Sequence, residues 1–330
     1  MEKQKNYLQF VKTEKTLLPI EEEFLFSVKE KIENKLGSKI SKWEKHYSHP
    51  IYDCFLIVVN DRPLLTKVNL SPDLPNFWKE LWINNFEFHP SIVCHSDELD
   101  EFQFICFEIP KGIFLSDLSS SPLNKKFNLE KIFLSTLDKM HSTKLLQKDC
   151  TIDVLNSFLP RESISICKKY PVVELFPSVK FLFNKAYKEN IDHCGLCHFD
   201  LSHENIIYTG KELKLINFEY AANANIYLDI WLAKEILNCP ESLFDELLKF
   251  SNKEKIQTIY SYKELSDIFN FAYFNSKIIS EYITFGLRDP ISLKKWINKS
   301  EIFYTKIQDK LFVDKTLDKL IRDFYYLWKS

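Results

Sequence analysis

The rhythm of hydrophobic and polar positions changes about a third of the way along the chain. Pro19 to Leu36 carries apolar residues at helical spacing and ends at Gly37, which predicts an amphipathic helix with a glycine stop. Tyr52–Val59 (YDCFLIVV) is apolar and β-branched. Leu64–Leu70 (LLTKVNL) follows it after the turn signal Asn60, Asp61, Arg62, Pro63, so the two runs read as a hairpin. Pro75–Phe86 reads as a helix with Phe77, Trp78, Leu81 and Trp82 toward its apolar side. Phe102–Ile109 alternates like a strand and runs into Pro110, Lys111 and Gly112, a short hinge.

Beyond Gly112, long helical patterns dominate: Leu129–Lys144, Ser178–Asn190, Tyr227–Leu237, Leu265–Thr284, Leu293–Leu311 and Lys315–Trp328. Gly195–Phe218 interrupts them with short apolar runs and polar loops that fit no long helix. The pattern therefore predicts an α+β chain. A small N-terminal sheet lobe spans residues 1–110, and a larger, mainly helical C-terminal lobe spans 111–330.

Composition adds bounds. Hydrophobic residues make up 45% and charged residues 27% of the 330, ordinary for a globular protein. The formal net charge of −2 argues against an electrostatically driven nucleic-acid binder, although a local basic patch would not show in the total. The N-terminal MEKQKNYLQFVKTEK has no apolar segment of secretory type, and no run is long enough for a transmembrane helix. With eight scattered cysteines, these features predict reduced thiols and a cytoplasmic protein, non-classical export remaining open. Only 5 glycines accompany 28 Phe and 15 Tyr, so few positions are built for close backbone approach to a phosphate.

The chemistry concentrates in LCHFDLSHENIIY, from Leu196 to Tyr208, and LKLINFEY, from Leu213 to Tyr220. A short apolar run ends at His198; Asp200 follows, then Asn205 five residues later. The next apolar run presents Asn217 and Glu219 where it turns polar. An acid and an amide on one loop, beside polar groups at a neighbouring strand end, can converge on a metal–phosphate site. Phosphoryl transfer needs a carboxylate that orients an acceptor hydroxyl, and oxygen ligands for a hard cation.

The pattern H-x-D-x-x-x-x-N, then INFEYAANANIYLDIWLA with Asp229 ten positions after Glu219, is similar to the aminoglycoside phosphotransferase and choline kinase superfamily. It looks most like the choline and thiamine kinase branch. The resemblance implies a protein-kinase-like two-lobe fold and ATP- and Mg²⁺-dependent phosphorylation of a small hydroxylated acceptor. Carried over, Asp200 is the catalytic base and Asn205 a Mg²⁺ ligand, with Asn217 and Glu219 completing the metal site. His198 braces the catalytic loop, and Asp229 anchors it from the following helix. In the N-terminal lobe, Lys67 contacts phosphate and Glu80 is its ion-pair partner, with Glu87 a poorer one. Ser48 lies in the phosphate-covering turn, Trp43 to Pro50, and Glu108 and Ile109 form the backbone hinge that meets adenine.

Two departures stand out. Asn217 occupies the position of the family's principal metal-binding Asp, and an amide brings no negative charge. The turn from Trp43 to Pro50 has no glycine. Three readings of Asn217 follow: compensation by Glu219 or another carboxylate, a kinase-fold binding protein without efficient transfer, or an introduced substitution. Aminoglycosides, sugars, lipid head groups and macromolecules remain alternative acceptors.

Other motifs have plainer readings. Cys194 and Cys197 form a C-x-x-C without a second pair, so a buried strand explains them better than a metal or redox site. His141 reads as structural and His203 chiefly as an exposed loop histidine, with contact to substrate or phosphate the alternative. The aromatic stripe of Phe269, Phe271, Tyr273, Phe274, Tyr282, Phe285, Trp296, Phe303 and Tyr304 reads chiefly as core. Some of it, with Glu281 or Asp289, could hold a cationic acceptor over aromatic faces. The amphipathic Lys310–Ser330 segment is expected to pack on its own lobe.

Overall fold

The computed structural model describes residues 19–48, 52–69, 78–84, 86–97, 103–115, 129–143, 175–187, 193–239, 244, 253–285, 290–311 and 314–329. The chain divides into two compact units, Met1–Pro110 and Lys111–Ser330.

The first unit opens with helix α1 (Pro19–Leu36). Gly37 adopts φ 61°, and Ser38 N–H bonds back to the Glu33 carbonyl while Gly37 N–H bonds to that of Asn34. This reverse pair is the glycine stop that satisfies the last carbonyls of a helix. Strands β1 (Ile40–Ser48), β2 (Tyr52–Val59) and β3 (Arg62–Asn69) follow, then the short helix α2 (Trp78–Ile83), β4 (Ile92–His95) and β5 (Phe104–Glu108). They form one antiparallel sheet in the order β1-β2-β3-β5-β4. Asn60 and Asp61 both take positive φ, 50° and 61°, which a two-residue hairpin loop of this hand requires. Pro63 is inside β3 but pairs with β2 only, since the β5 ladder starts at Leu64, so its missing N–H is tolerated.

Period-2 alternation sorts the sheet's two faces. Phe55, Ile57, Val59 and Val68 meet Val28 and Ile32 of α1. Cys54, Ile105 and Phe107 face the other way, toward Leu81 of α2. Sequence pattern did not reveal β1, and placed a turn from Trp43 to Pro50. The structure corrects this: the strand runs through Ser48. Its period is broken by two register shifts, and its charges lie along a sheet edge, where they discourage further pairing.

The second unit begins with β6 (Ile113–Phe114), α3 (Leu129–His141) and α4 (Phe176–Tyr187). Next come β7 (Cys194–Cys197), β8 (Ile206–Tyr208), β9 (Leu213–Leu215) and β10 (Ala222–Asn225). β7 pairs with β10, and β6, β8 and β9 form a second small sheet. A Cβ on residue 195 would lie 2.0 Å from the His141 carbonyl oxygen, so only glycine lets β7 approach the end of α3 this closely. Helices α5 (Ile226–Ile236), α6 (Lys253–Ser261), α7 (Lys263–Phe285), α8 (Pro290–Ile307) and α9 (Lys315–Lys329) complete it. The pattern missed α6.

The aromatic stripe is mostly core. Phe274 stacks on Trp296 and Phe303 with centroids 5.8 and 5.6 Å apart, and Phe271 meets Tyr304 at 6.1 Å. Each such buried side chain contributes about 1.5–3 kcal/mol. α9 packs on α8 through Tyr325, whose hydroxyl lies 2.9 Å from Ser300 Oγ. The side chains of Glu281, Tyr282 and Phe285, and all of Asp289, lie outside the described residues. Among the described residues, no helix is long and apolar enough to cross a membrane.

Candidate active site

The site grows from the end of β7. After Cys197 the backbone turns through His198 and Phe199, and Phe199 takes φ 58°, unusual for a bulky side chain. Asp229, on the first turns of α5, holds this bend. Its Oδ2 accepts from His198 N–H at 3.0 Å and its Oδ1 from Phe199 N–H at 2.8 Å, while His141 Nε2 reaches Oδ2 at 3.0 Å. Phe199 is buried against Phe269, centroids 5.1 Å apart. A carboxylate with two backbone donors and fixed packing thus over-determines a strained turn.

His198 ties the loop to the strand beyond. Its Nδ1 accepts from Asp200 N–H at 3.2 Å, so the proton sits on Nε2, which donates to the Ile216 carbonyl at 2.9 Å. Ile216 N–H in turn donates to the Asn205 carbonyl at 3.0 Å. Asn205 closes a 3₁₀ turn (His203–Asn205), and its Nδ2 donates to the Asp200 carbonyl at 2.7 Å and to Asp200 Oδ2 at 3.3 Å. This orients Asn205 Oδ1 the other way, toward Asn217. Asn217, at φ 65°, donates from Nδ2 to that oxygen at 2.6 Å.

Asp200 has two further partners. Tyr273 OH donates to Oδ1 at 2.6 Å, and Lys277 Nζ lies 3.2 Å from the same oxygen. Both come from α7, four residues apart and so on one helix face. Burial, then the Asp200 charge, hold the Tyr273 phenol well above its ordinary range, so it remains a donor. Burial opposes the Lys277 charge, yet its titration lies well above the usual value, the Asp200 carboxylate being the leading group that favours the ammonium.

Among solved structures, choline kinase LicA from Streptococcus pneumoniae is similar with a TM-score of 0.61 at 12% identity, covering 85% of this chain and 99% of that one. Aminoglycoside phosphotransferase APH(4)-Ia, solved with AMP-PNP and hygromycin B, gives 0.57 at 11% identity, covering 84% and 98%. A Plasmodium vivax ethanolamine kinase gives 0.55 at 14% identity, covering 80% and 83%. The chain shares the kinase-like fold of these structures. No protein-family model and no curated protein sequence matches it.

The resemblance implies Mg²⁺ at Asn205, Asn217 and Glu219, and the two amides by themselves do not fit it. A hard cation takes oxygen ligands, with charge preferred. Asn217 points an N–H at the one Asn205 oxygen that could ligate, and both side chains are neutral. The nearby carboxylate, Asp200, is engaged by Tyr273, Lys277 and Asn205. The side chain of Glu219, in the 3₁₀ turn Phe218–Tyr220, lies outside the described residues.

In the first unit, Lys67 on β3 and Glu80 on α2 form a buried ion pair of 2.7 Å, with side chains 2% and 3% exposed. Glu87 is exposed. The Lys67 ammonium also lies 5.9 Å from the Phe107 ring centroid. Ser48 ends β1 and its side chain lies outside the described residues. Glu108 ends β5; its N–H donates to the Ser91 carbonyl at 2.8 Å and its side chain pairs with Arg62, so that N–H is already committed. Ile109 is exposed.

The C-x-x-C makes no joint site. Cys194 and Cys197 stand three apart on a strand, so their side chains project to opposite faces, and neither is in a disulfide. Cys197, His141 and Asp229 bring ligand atoms within 4.8 Å of one another, but Asp229 is spent on the loop bend. His203 is half-buried, and burial lowers its titration. Tyr273 was legible only as part of the stripe, and Lys277 carried no sequence signal.

Proposed function

We infer that this chain is a nucleotide-dependent phosphotransferase acting on the hydroxyl of a small molecule. The observation that carries it is the arrangement of Asp200 on a loop braced by Asp229, His198 and Asn205, which presents one carboxylate in a fixed orientation. Such a carboxylate can accept a hydrogen bond from an acceptor hydroxyl and take its proton as the phosphoryl group arrives. Lys67, held by Glu80, is the group assigned to the nucleotide phosphates, and the backbone at Glu108 and Ile109 to the base. Because the Glu108 N–H is committed, Ile109 carries the donor role. Ser48, the last residue of β1, is assigned as a hydroxyl donor to phosphate.

The similar structures support the reading, being kinases of choline, ethanolamine and an aminoglycoside, with nucleotide bound in some. Positioning and fixed charge would supply most of the barrier reduction. The choline, ethanolamine and thiamine types are the acceptors that the sequence resemblance suggests.

A second reading rests on the Asn217–Asn205 hydrogen bond: a kinase-fold protein that binds nucleotide without efficient transfer. Formation of ADP over a panel of amino alcohols, polyols, sugars and aminoglycosides separates the two. Turnover by wild type, abolished in Asp200→Asn, supports the phosphotransferase. Stabilisation by ATP with no turnover of any acceptor supports the second reading instead. Turnover that survives Asp200→Asn sinks the assignment of Asp200.

A further inference from the structure

Lys277 lies against Asp200, the carboxylate assigned above to the acceptor hydroxyl. Its Nζ lies 3.2 Å from Asp200 Oδ1, 5.0 Å from the Tyr220 ring centroid and 5.3 Å from that of Tyr273. An ammonium over two aromatic faces within about 6 Å, with a carboxylate against it, is the surroundings that a cationic small molecule would itself seek. Here the chain supplies the cation. The side chain is 16% exposed. Burial works against its charge, yet its titration stays well above the usual value, with the Asp200 carboxylate the leading group that favours the charged form.

We propose that Lys277 excludes cationic acceptors, so that the Asp200 site takes a hydroxyl compound bearing no ammonium group. Asp200 and Lys277 together sum to no net charge, and the carboxylate's oxygens are shared among Tyr273, Lys277 and Asn205. A second ammonium brought beside them would meet like charge in a partly desolvated place, where charge interactions are poorly screened. Among the described residues, Asp200 is the acidic group acting on Lys277. The proposal rests on the phosphotransferase reading for its significance, and it narrows the acceptor against the choline-like types.

The test is binding of choline and ethanolamine to the full chain without nucleotide, by calorimetric titration and thermal shift, in wild type, Lys277→Met and Lys277→Arg. Lys277→Met should bind choline at least tenfold more tightly than wild type. Lys277→Arg, which keeps the charge beside Asp200, should behave as wild type. Equal choline affinity in wild type and Lys277→Met, whether tight in both or absent from both, overturns the proposal. Should Lys277→Met fail to fold, wild type alone decides: saturable choline binding overturns it, and turnover of a polyol but not of choline supports it. If no acceptor is phosphorylated, the phosphotransferase reading fails, while the choline comparison still decides the role of Lys277.

Discussion

Asn217 donates a 2.6 Å hydrogen bond to Asn205 across the end of the loop that carries Asp200. Asn205 cannot turn away, because its own N–H groups hold the Asp200 carbonyl and carboxylate. Its oxygen therefore faces residue 217, and whatever stands there must be a donor or must share a cation with it. With Asn the contact closes without a cation.

Asn217→Asp replaces that donor by a carboxylate and sets two oxygens against each other. The variant should be less stable than wild type without divalent cation and should regain stability as Mg²⁺ is added. At a hundredfold excess over its Kd, bound cation contributes about 2.7 kcal/mol. Thermal denaturation over a Mg²⁺ series reads this directly. An equal Mg²⁺ response in wild type would show that the amide pair opens readily for the cation.

Lys67 and Glu80 are almost fully buried, so removing one charge strands the other. Lys67→Met should cost about 3–5 kcal/mol, and the double variant Lys67→Met/Glu80→Leu should recover much of it, since matched apolar replacements of buried pairs are often neutral. Nucleotide binding should stay lost in the double variant. If stability and nucleotide binding recover together, Lys67 is structural only. Urea denaturation and nucleotide titration on the same samples give both quantities.

Asp229 accepts from two backbone N–H groups at a left-handed Phe199. Asp229→Ala strands both donors and should cost roughly 2–6 kcal/mol, about 1–3 for each. Asp229→Asn keeps one acceptor oxygen and should lie between. Amide exchange at His198 and Phe199 should rise in both variants before global unfolding; unchanged protection would place the loop's support elsewhere.

Asp267 on α7 gives a pH signature. Burial raises its titration, against the opposing pull of Lys306. A carboxyl raised in the folded state binds its proton more tightly there than in the unfolded chain. Its charged form therefore costs stability above its folded value, and the cost is relieved as pH falls through that value. Asp267→Asn should be somewhat more stable than wild type at neutral pH, and the gap should close on acidification. Melting temperatures from pH 7 down to about 4, the unperturbed carboxylate range, check the trend. A gap that widens on acidification refutes it.

Several features were legible because they are local. A helix ending at Gly37, a hairpin through Asn60 and Asp61, and the long helices of the second unit all follow from periodicity and turn chemistry. The kinase-like fold was legible through the family resemblance carried by His198, Asp200, Asn205 and Asp229, which lie in one short stretch of the chain. Strand β1 was not legible, because its bulges break the alternation and its outward charges imitate a loop.

By itself, then, the sequence determined the long helices, the first hairpin, the identity of the loop and the amide at 217, all of which are matters of near neighbours. Tertiary structure alone decided that this amide bonds to Asn205, and that Tyr273 and Lys277 close on Asp200. Tyr273 lies 73 residues from Asp200 along the chain. The physical reason is that helix periodicity states which residues share a face, but not which distant loop that face will meet. Here the answer depended on how α7 packs among the buried aromatic residues of its unit.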